Sequence, residues 1–445
     1  MNKSKFQNRL DFSQGHAFEE RLTKLVPGGA HTYSRGADQF PRNAPNGFTR
    51  GQGCYVWDAD GNCLVDWGMA LASVSLGHAH ENVNRAVIEA IGNGVNFTRA
   101  TRLELEAAER FAAVTGTDMV KFAKHGSVVN TAAVKLARAY TGRTKVAVPK
   151  EHPFFSFDDW FIVTTEVDFG IPDELRNFCV QFSYNDLTSL EALFAQHKGE
   201  IACVMLEPVK IDAPHPGFLE GIRALCDREG AVLIFDEMVS GLKWAVPGAG
   251  SYFGVTPDIS TWGKGIANGF SCAALAGRRE IMRMGGIEDE GSRKLFLLST
   301  THGAEATGLA AMIATIDAFT SSDIVGKNWR TGERLRTRLT EVIARRGLAE
   351  HIGIVGYPCV MALTVRGRGE PDLAFRTLFI QEVIRCGILF QGVFVVTPSH
   401  GDGEIERTAD AFDHACSVFN QALAANGVAD LLDGPAVKPV FRKFI

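Results

Sequence analysis

The sequence predicts an α/β protein, with a large domain on a mostly parallel sheet over residues 71–320 and a smaller α+β domain over 321–445. Three observations point there. Between 71 and 320, short apolar runs alternate with longer amphipathic stretches, the pattern of strands buried on both faces and covered by helices. After about 320 the rhythm changes to a long charged helix, shorter strands and two further helices. The chain has 445 residues, 46% hydrophobic and 22% charged, enough to bury a large core without disulfides or metal.

Taken in order, residues 1–70 form a polar, turn-rich segment, as in VPGGAHTYSRGADQFPRNAPNGF, that is expected to pack with the small domain. Within it, YVWDADGNCLVDW predicts a β-hairpin whose arms, Tyr55 to Trp57 and Cys63 to Trp67, flank an Asp-Gly turn. Strands are expected at 119–123, 145–149, 201–207, 231–237 and 272–277, and helices at 128–142, 217–230 and 303–319. The later strands fall near 352–366 and 387–396. The stretch from Arg330 to Arg346 interleaves Glu333, Glu341 and aliphatics with its arginines, which fits a solvated helix face.

Several function classes are excluded. Lys plus Arg is 46 against 51 for Asp plus Glu, a net charge of −5, so no basic excess exists to collect nucleic-acid phosphates. No apolar run approaches the roughly 18 residues of a membrane span. The N-terminus lacks the apolar core of a secretory signal. Nine cysteines are scattered without a C-x-x-C pair, so the cytoplasm is the expected compartment. His78 and His80 have no third ligand at metal spacing, and no metal is expected. P-loop, G-x-G-x-x-G and G-x-S-x-G motifs are missing.

Three segments put an unusual polar residue at the end of an apolar strand, where open α/β sheets bind ligands. AVLIFDE runs into Asp236 and Glu237; such a carboxylate can hold a cation or serve as a helix cap. ISTWGKGIANGF sets Lys264 between Gly263 and Gly265, which suits an amine close to a ligand or an ordinary turn lysine. In FAKHGSVVNTAAVKLARA a strand ends, Gly126 and Ser127 turn the chain and a helix begins, a start that suits phosphate or a simple N-cap at Ser127. Jointly, a phosphate-ready helix start, a strand-end carboxylate and a turn lysine are the parts of a pyridoxal-phosphate site.

At this point the chain resembles a fold-type I, class III pyridoxal-phosphate-dependent aminotransferase, closest in pattern to glutamate-1-semialdehyde aminomutases. The resemblance runs through VPGGAHTYSRG, WDADGNCLVD, LGHAH, LARAYTGRTK, LEPV, GFLEGIRALCDREGAVLIFDEMVSG, YFGVTPDISTWGKGIANG and GRREIM. It implies Lys264 as the Schiff-base lysine and Asp236 as the acid on the pyridine nitrogen. Met238 takes the place under the ring, Phe154 the stacking aromatic on its other face, and Gly126 and Ser127 the phosphate cup. Glu207 corresponds to the acid of the E-P-V motif that orients the site. Thr300 resembles the threonine that reaches a neighbouring subunit's phosphate, which implies a homodimer. Arg35 matches the arginine that receives a substrate carboxylate.

Departures concentrate around the substrate. The family's S-G-T-E-A becomes H-G-S-V-V, with His125 and Val128 at the changed positions. Tyr-His-Gly becomes Phe154-Phe155-Ser156, and small-Trp-small becomes Ala70-Leu71-Ala72. The Gly/Ser-rich gating loop is replaced by FFSFDDWFIVTTEVDFG. The segment after Glu207 is short, leaving Asp212 as the candidate opposite the cofactor's phenolic oxygen. The expected activity is therefore ping-pong amino transfer from a small-molecule amino donor to a carboxylated or sugar-like keto or aldehyde acceptor. Its alternative is an aminomutase, which moves the amino group within one molecule.

Overall fold

The computed structural model describes residues 10–152, 154–367, 369–425 and 427–444. They form two compact units. The larger comprises Leu71–Ser75, Glu81–Val325 and the residues from Phe441; the smaller comprises the residues up to Ala70, Leu76–His80 and Gly326–Val440. In chain order, the smaller unit opens with β1 (Arg50–Gln52), β2 (Tyr55–Trp57) and β3 (Cys63–Asp66). The larger contributes β4 (Met119–Ala123), β5 (Lys145–Pro149), β6 (Cys179–Phe182), β7 (Ile201–Leu206), β8 (Val232–Asp236), β9 (Ile259–Trp262) and β10 (Ala273–Gly277). The smaller closes with β11 (Ile352–Tyr357), β12 (Val360–Val365), β13 (Ile388–Leu389) and β14 (Val393–Val395).

The larger unit's sheet has the order β4-β10-β9-β8-β7-β5-β6. β10 is antiparallel to both its neighbours, and the pairs from β9 through to β6 are parallel. Every residue of β7, β8, β9 and β10 is buried, which is why β7, β8 and β10 read as near-continuous apolar runs instead of alternating ones. Because β4 and β9 both oppose β10, all six other strands end at one edge of the sheet.

Helices pack on this sheet with legible ends. Gly126–Thr141 follows β4, buries Ala132, Ala133, Val134, Leu136 and Ala137, and stops at Gly142, whose φ of 68° is the left-handed stop that glycine accepts. Arg102–Thr115 starts from a capping box in which Thr101 and Glu104 satisfy each other's backbone. Ala306–Ser321 begins three residues later than its sequence suggests, because the Glu305 carboxylate accepts from Thr307 N–H at 2.8 Å and fixes the start there.

In the smaller unit β2 and β3 pair antiparallel with Trp57 opposite Cys63. Asp58 Oδ1 closes their turn by accepting from the N–H of Asp60 (3.1 Å) and Asn62 (2.8 Å). The stretch near 387–396 does not form one strand. Gly392, at φ 94°, breaks it, so β13 joins β3 in a four-stranded sheet and β14 joins β12 in a three-stranded one. This unit's core includes Trp67, Phe379, Phe394, Phe412 and Phe419. Trp67 Nε1 is satisfied by Thr408 Oγ1 at 2.8 Å. Among the described residues, no single helix is long and apolar enough to cross a membrane.

Candidate active site

β8 ends on two buried carboxylates with different tasks. Asp236 Oδ2 accepts from Asn130 Nδ2 at 2.8 Å, and its Oδ1 accepts from Met238 N–H at 2.8 Å. Burial pushes the Asp236 carboxyl up to about 7; Glu207 adds to the rise, while Met238 N–H, Asn130 and the Lys264 amine draw it down. Glu237 turns to the fold. It accepts from Ala249 N–H (3.0 Å), Gly250 N–H (2.7 Å) and the Ser240 hydroxyl, fixing the start of the helix Ala249–Phe253. Burial raises its pKa too. Asp236 is therefore the carboxylate available to a ligand.

Lys264 follows β9, the strand beside β8, two residues past Trp262; Asp236 stands opposite Thr261 in that pairing. Its backbone is left-handed, φ 48°, and Asn268 closes the same turn at φ 43°. Both flanking glycines let long side chains pack closely on the turn. A Cβ on Gly263 would lie 2.7 Å from Met238 Sδ, and one on Gly265 would lie 2.8 Å from Lys243 Nζ. Ser75 ties the turn down: its Oγ donates to Gly265 O at 2.6 Å, and its N–H donates to Asn268 Oδ1 at 2.9 Å.

The helix Gly126–Thr141 starts at the same sheet edge. Its N-cap is His125, which makes no side-chain cap, so Ser127 lies inside the first turn and is not a cap itself. Ser127 Oγ accepts from Phe157 N–H at 3.2 Å, leaving its own proton to donate. A Cβ on Gly126 would meet Met238 Sδ at 2.9 Å. Met238 thus packs against the backbones of both the helix start and the lysine turn.

Glu207 directly follows β7 and is buried. Its N–H donates to His152 Nδ1 at 3.2 Å, and its carboxylate lies 3.8 Å from Lys210 Nζ. His152 is buried beside the rings of Tyr184 and Phe155, and burial lowers its pKa, keeping the imidazole neutral. Phe154 is 47% exposed with its edge on Phe161, whereas Phe155 is buried. Thr300 is exposed in a segment held to residues 95–96, where Asn96 Nδ2 donates to Thr301 O at 3.2 Å and Ala306 N–H to Val95 O at 2.9 Å. Arg35 belongs to the smaller unit, exposed on the single turn Tyr33–Arg35.

Asn130, His152 and Ser75 are neighbours of the site that the sequence did not single out. Neither did it signal the turn Met69–Ala72, where four successive non-glycine residues take φ between 43° and 67°. Left-handed backbone costs such residues roughly 1–2 kcal/mol each.

The residues suit pyridoxal phosphate. A buried carboxylate bonded only by neutral amides gains from a cationic ring nitrogen, and an uncapped helix start gains from a phosphate. Met238 packs against the backbones of Gly126 and Gly263, joining the helix start to the lysine turn.

A strand-end carboxylate, a glycine-flanked lysine and an uncapped helix start thus share one edge of the α/β sheet. Residues 37–394 match the family described as aminotransferase class-III. The chain is 30% identical over 427 residues to the 3-aminobutyryl-CoA aminotransferase of Cloacimonas acidaminovorans (strain Evry), spanning 93% of this chain and 99% of that protein. It is 36% identical over 428 residues to the glutamate-1-semialdehyde 2,1-aminomutase of Nitrosospira multiformis, spanning 89% of this chain and 97% of that protein. Its fold is similar to that of the PLP internal aldimine form of the FumI protein of Sphingopyxis sp. MTA144, with a TM-score of 0.85 over 93% of this chain and 98% of that one at 24% identity. The chain belongs to the class III aminotransferase family, whose enzymes depend on pyridoxal phosphate.

Proposed function

We propose that this enzyme transfers an amino group from a small-molecule donor to a keto or aldehyde acceptor, with Lys264 as its catalytic residue. The observation that carries the reading is the convergence of Asp236 and Lys264 at the ends of the paired strands β8 and β9, with Met238 between the lysine turn and the helix start. When bound, pyridoxal phosphate supplies a carbonyl carbon for amines and a cationic ring that stabilises negative charge on the substrate α-carbon. Asp236 holds the proton on the ring nitrogen. The N–H groups of the helix Gly126–Thr141 and the Ser127 hydroxyl hold the phosphate. Lys264 would supply the amine that retains the cofactor, and its free amine would be the base that moves the α-carbon proton of the substrate. Phe154 covers the ring, Glu207 orients the site and Arg35 receives a substrate carboxylate.

The protein acts as a homodimer in this reading. Ile88, Ile91, Val95, Phe97 and Leu105 are exposed on and between the helices Glu81–Gly92 and Arg102–Thr115, and the Thr300 segment is bonded to Val95 and Asn96. A second copy covering that apolar face takes Thr300 to the partner's phosphate. Nine cysteines, with no disulfide among the described residues, fit the cytoplasm.

An aminomutase uses the same cofactor roles, so these residues do not discriminate between the two, and the 36% identity to such an enzyme makes it the second reading. Single amino donors, offered without an acceptor, distinguish the two. A visible band that converts to the pyridoxamine form with one donor supports the transferase; no conversion across the donor panel, with turnover of one compound carrying an amino group beside its carbonyl, supports the aminomutase.

A further inference from the structure

Asn130 is buried within the helix Gly126–Thr141, and its Nδ2 donates to two acceptors, Phe155 O at 2.6 Å and Asp236 Oδ2 at 2.8 Å. Both neighbours are oxygens, so the amide has one workable orientation; a flip would set Oδ1 against a carbonyl and a carboxylate. In that orientation Oδ1 is buried without a hydrogen-bond partner. An orphaned acceptor is a cost that an apolar residue of similar size would avoid. The fold therefore keeps Asn130 for what its two N–H bonds do, one of which ends on Asp236.

We propose that Asn130 is the positioning residue that aims the Asp236 carboxylate at the cofactor's ring nitrogen and keeps Oδ2 an acceptor. With Met238 N–H on Oδ1 and Asn130 on Oδ2, each oxygen is held by a donor, and the side chain cannot rotate without losing both. Of the two, only Asn130 is a side chain that substitution can remove. The charged groups facing Asp236 are Glu207 after β7 and Lys264 after β9; the first disfavours its ionised form and the second favours it. Asn130 acts with Lys264 against burial and Glu207.

The inference rests on the Asp236 assignment, and a double-mutant cycle separates the two. Pyridoxal phosphate is titrated against apoprotein of wild type, Asn130→Ala, Asp236→Asn and the double variant. Asn130→Ala should weaken binding about tenfold or more alone, and less than twofold in the Asp236→Asn background. An equal factor in both backgrounds would assign Asn130 to the fold only and overturn the inference. Wild-type affinity in Asp236→Asn would instead overturn the Asp236 assignment. Where a variant binds too weakly to titrate, melting of the apoprotein against pH decides. Loss of the Asn130 donor raises the Asp236 pKa further, so the variant should go on losing stability above pH 7 where wild type levels off. An unchanged pH profile would overturn the inference. If Asn130→Ala does not fold, Asn130→Ser, whose hydroxyl is too short to reach both acceptors, goes through the same measurements.

Discussion

Asp236 and Glu237 are consecutive and equally buried, yet they bond in different directions: Asp236 to Asn130 and Met238, Glu237 to the amides of Ala249 and Gly250. Their substitutions should separate accordingly. Glu237→Ala leaves two buried N–H groups unsatisfied and should lower stability by roughly 2–4 kcal/mol in urea denaturation while the cofactor's visible band persists. Asp236→Asn should lose the band with little loss of apoprotein stability. The reverse pattern would exchange the two roles.

Two buried groups oppose each other in pH dependence. Asp236 has a folded value of about 7 against 3.8, so the folded apoprotein binds more protons and loses stability as pH rises from about 4 to 7. The shift corresponds to roughly 4 kcal/mol. His400, in the smaller unit, is stacked on Trp67 at 4.0 Å, accepts from Thr397 N–H at 3.1 Å and donates to Asp66 O at 3.1 Å. Burial lowers its pKa from 6.5 to about 4, so its contribution is complete above pH 6.5 and is lost as pH falls toward 4, about 3 kcal/mol in all. Wild-type apoprotein should therefore show a shallow profile. His400→Gln should reveal the fall with rising pH, and Asp236→Asn the rise. Parallel profiles for all three proteins would refute both assignments.

Much of this site was legible in the sequence because three strands end abruptly. Polar residues just past strands, Asp236, Lys264 and the Gly126-Ser127 turn, mark the strand ends in the sequence, whereas Glu207 was legible only through the family resemblance. Asn130 was not legible: it sits mid-helix, and its meaning depends on the distance between that helix and the end of β8. His152 and Ser75 are hidden for the same reason, as each acts through a partner more than 50 residues away. The turn Met69–Ala72 carries neither Gly nor Asn to announce its left-handed backbone. The division of 387–396 between two sheets turns on Gly392, which reads equally well as a simple bulge.

Met238 offers a third test. Gly263→Ala places a Cβ 2.7 Å from its sulfur, and Met is flexible enough to move aside. Stability should fall by only about 1–3 kcal/mol. Cofactor affinity should fall more, because Met238 is displaced from its place beside the helix start. Restored affinity in Gly263→Ala/Met238→Ala would show that the sulfur carries the effect; equal losses in affinity and stability would place the glycine in the fold alone.

The apolar face around Phe97 bears on assembly. Phe97→Glu puts a charge in the proposed interface and should shift the protein from dimer to monomer in light scattering, with loss of cofactor affinity because Thr300 no longer reaches a second site. A monomeric wild type with full affinity would remove Thr300 from the cofactor site.

Borohydride reduction of the holoenzyme, followed by peptide mass mapping, tests the central assignment most directly. Lys243 Nζ lies 2.8 Å from the Cβ position of Gly265, so two lysines of the same neighbourhood compete for the label. The reduced cofactor should be found on Lys264, with no stable adduct in Lys264→Ala. An adduct on Lys243, or on any lysine that survives the Lys264→Ala substitution, would contradict it.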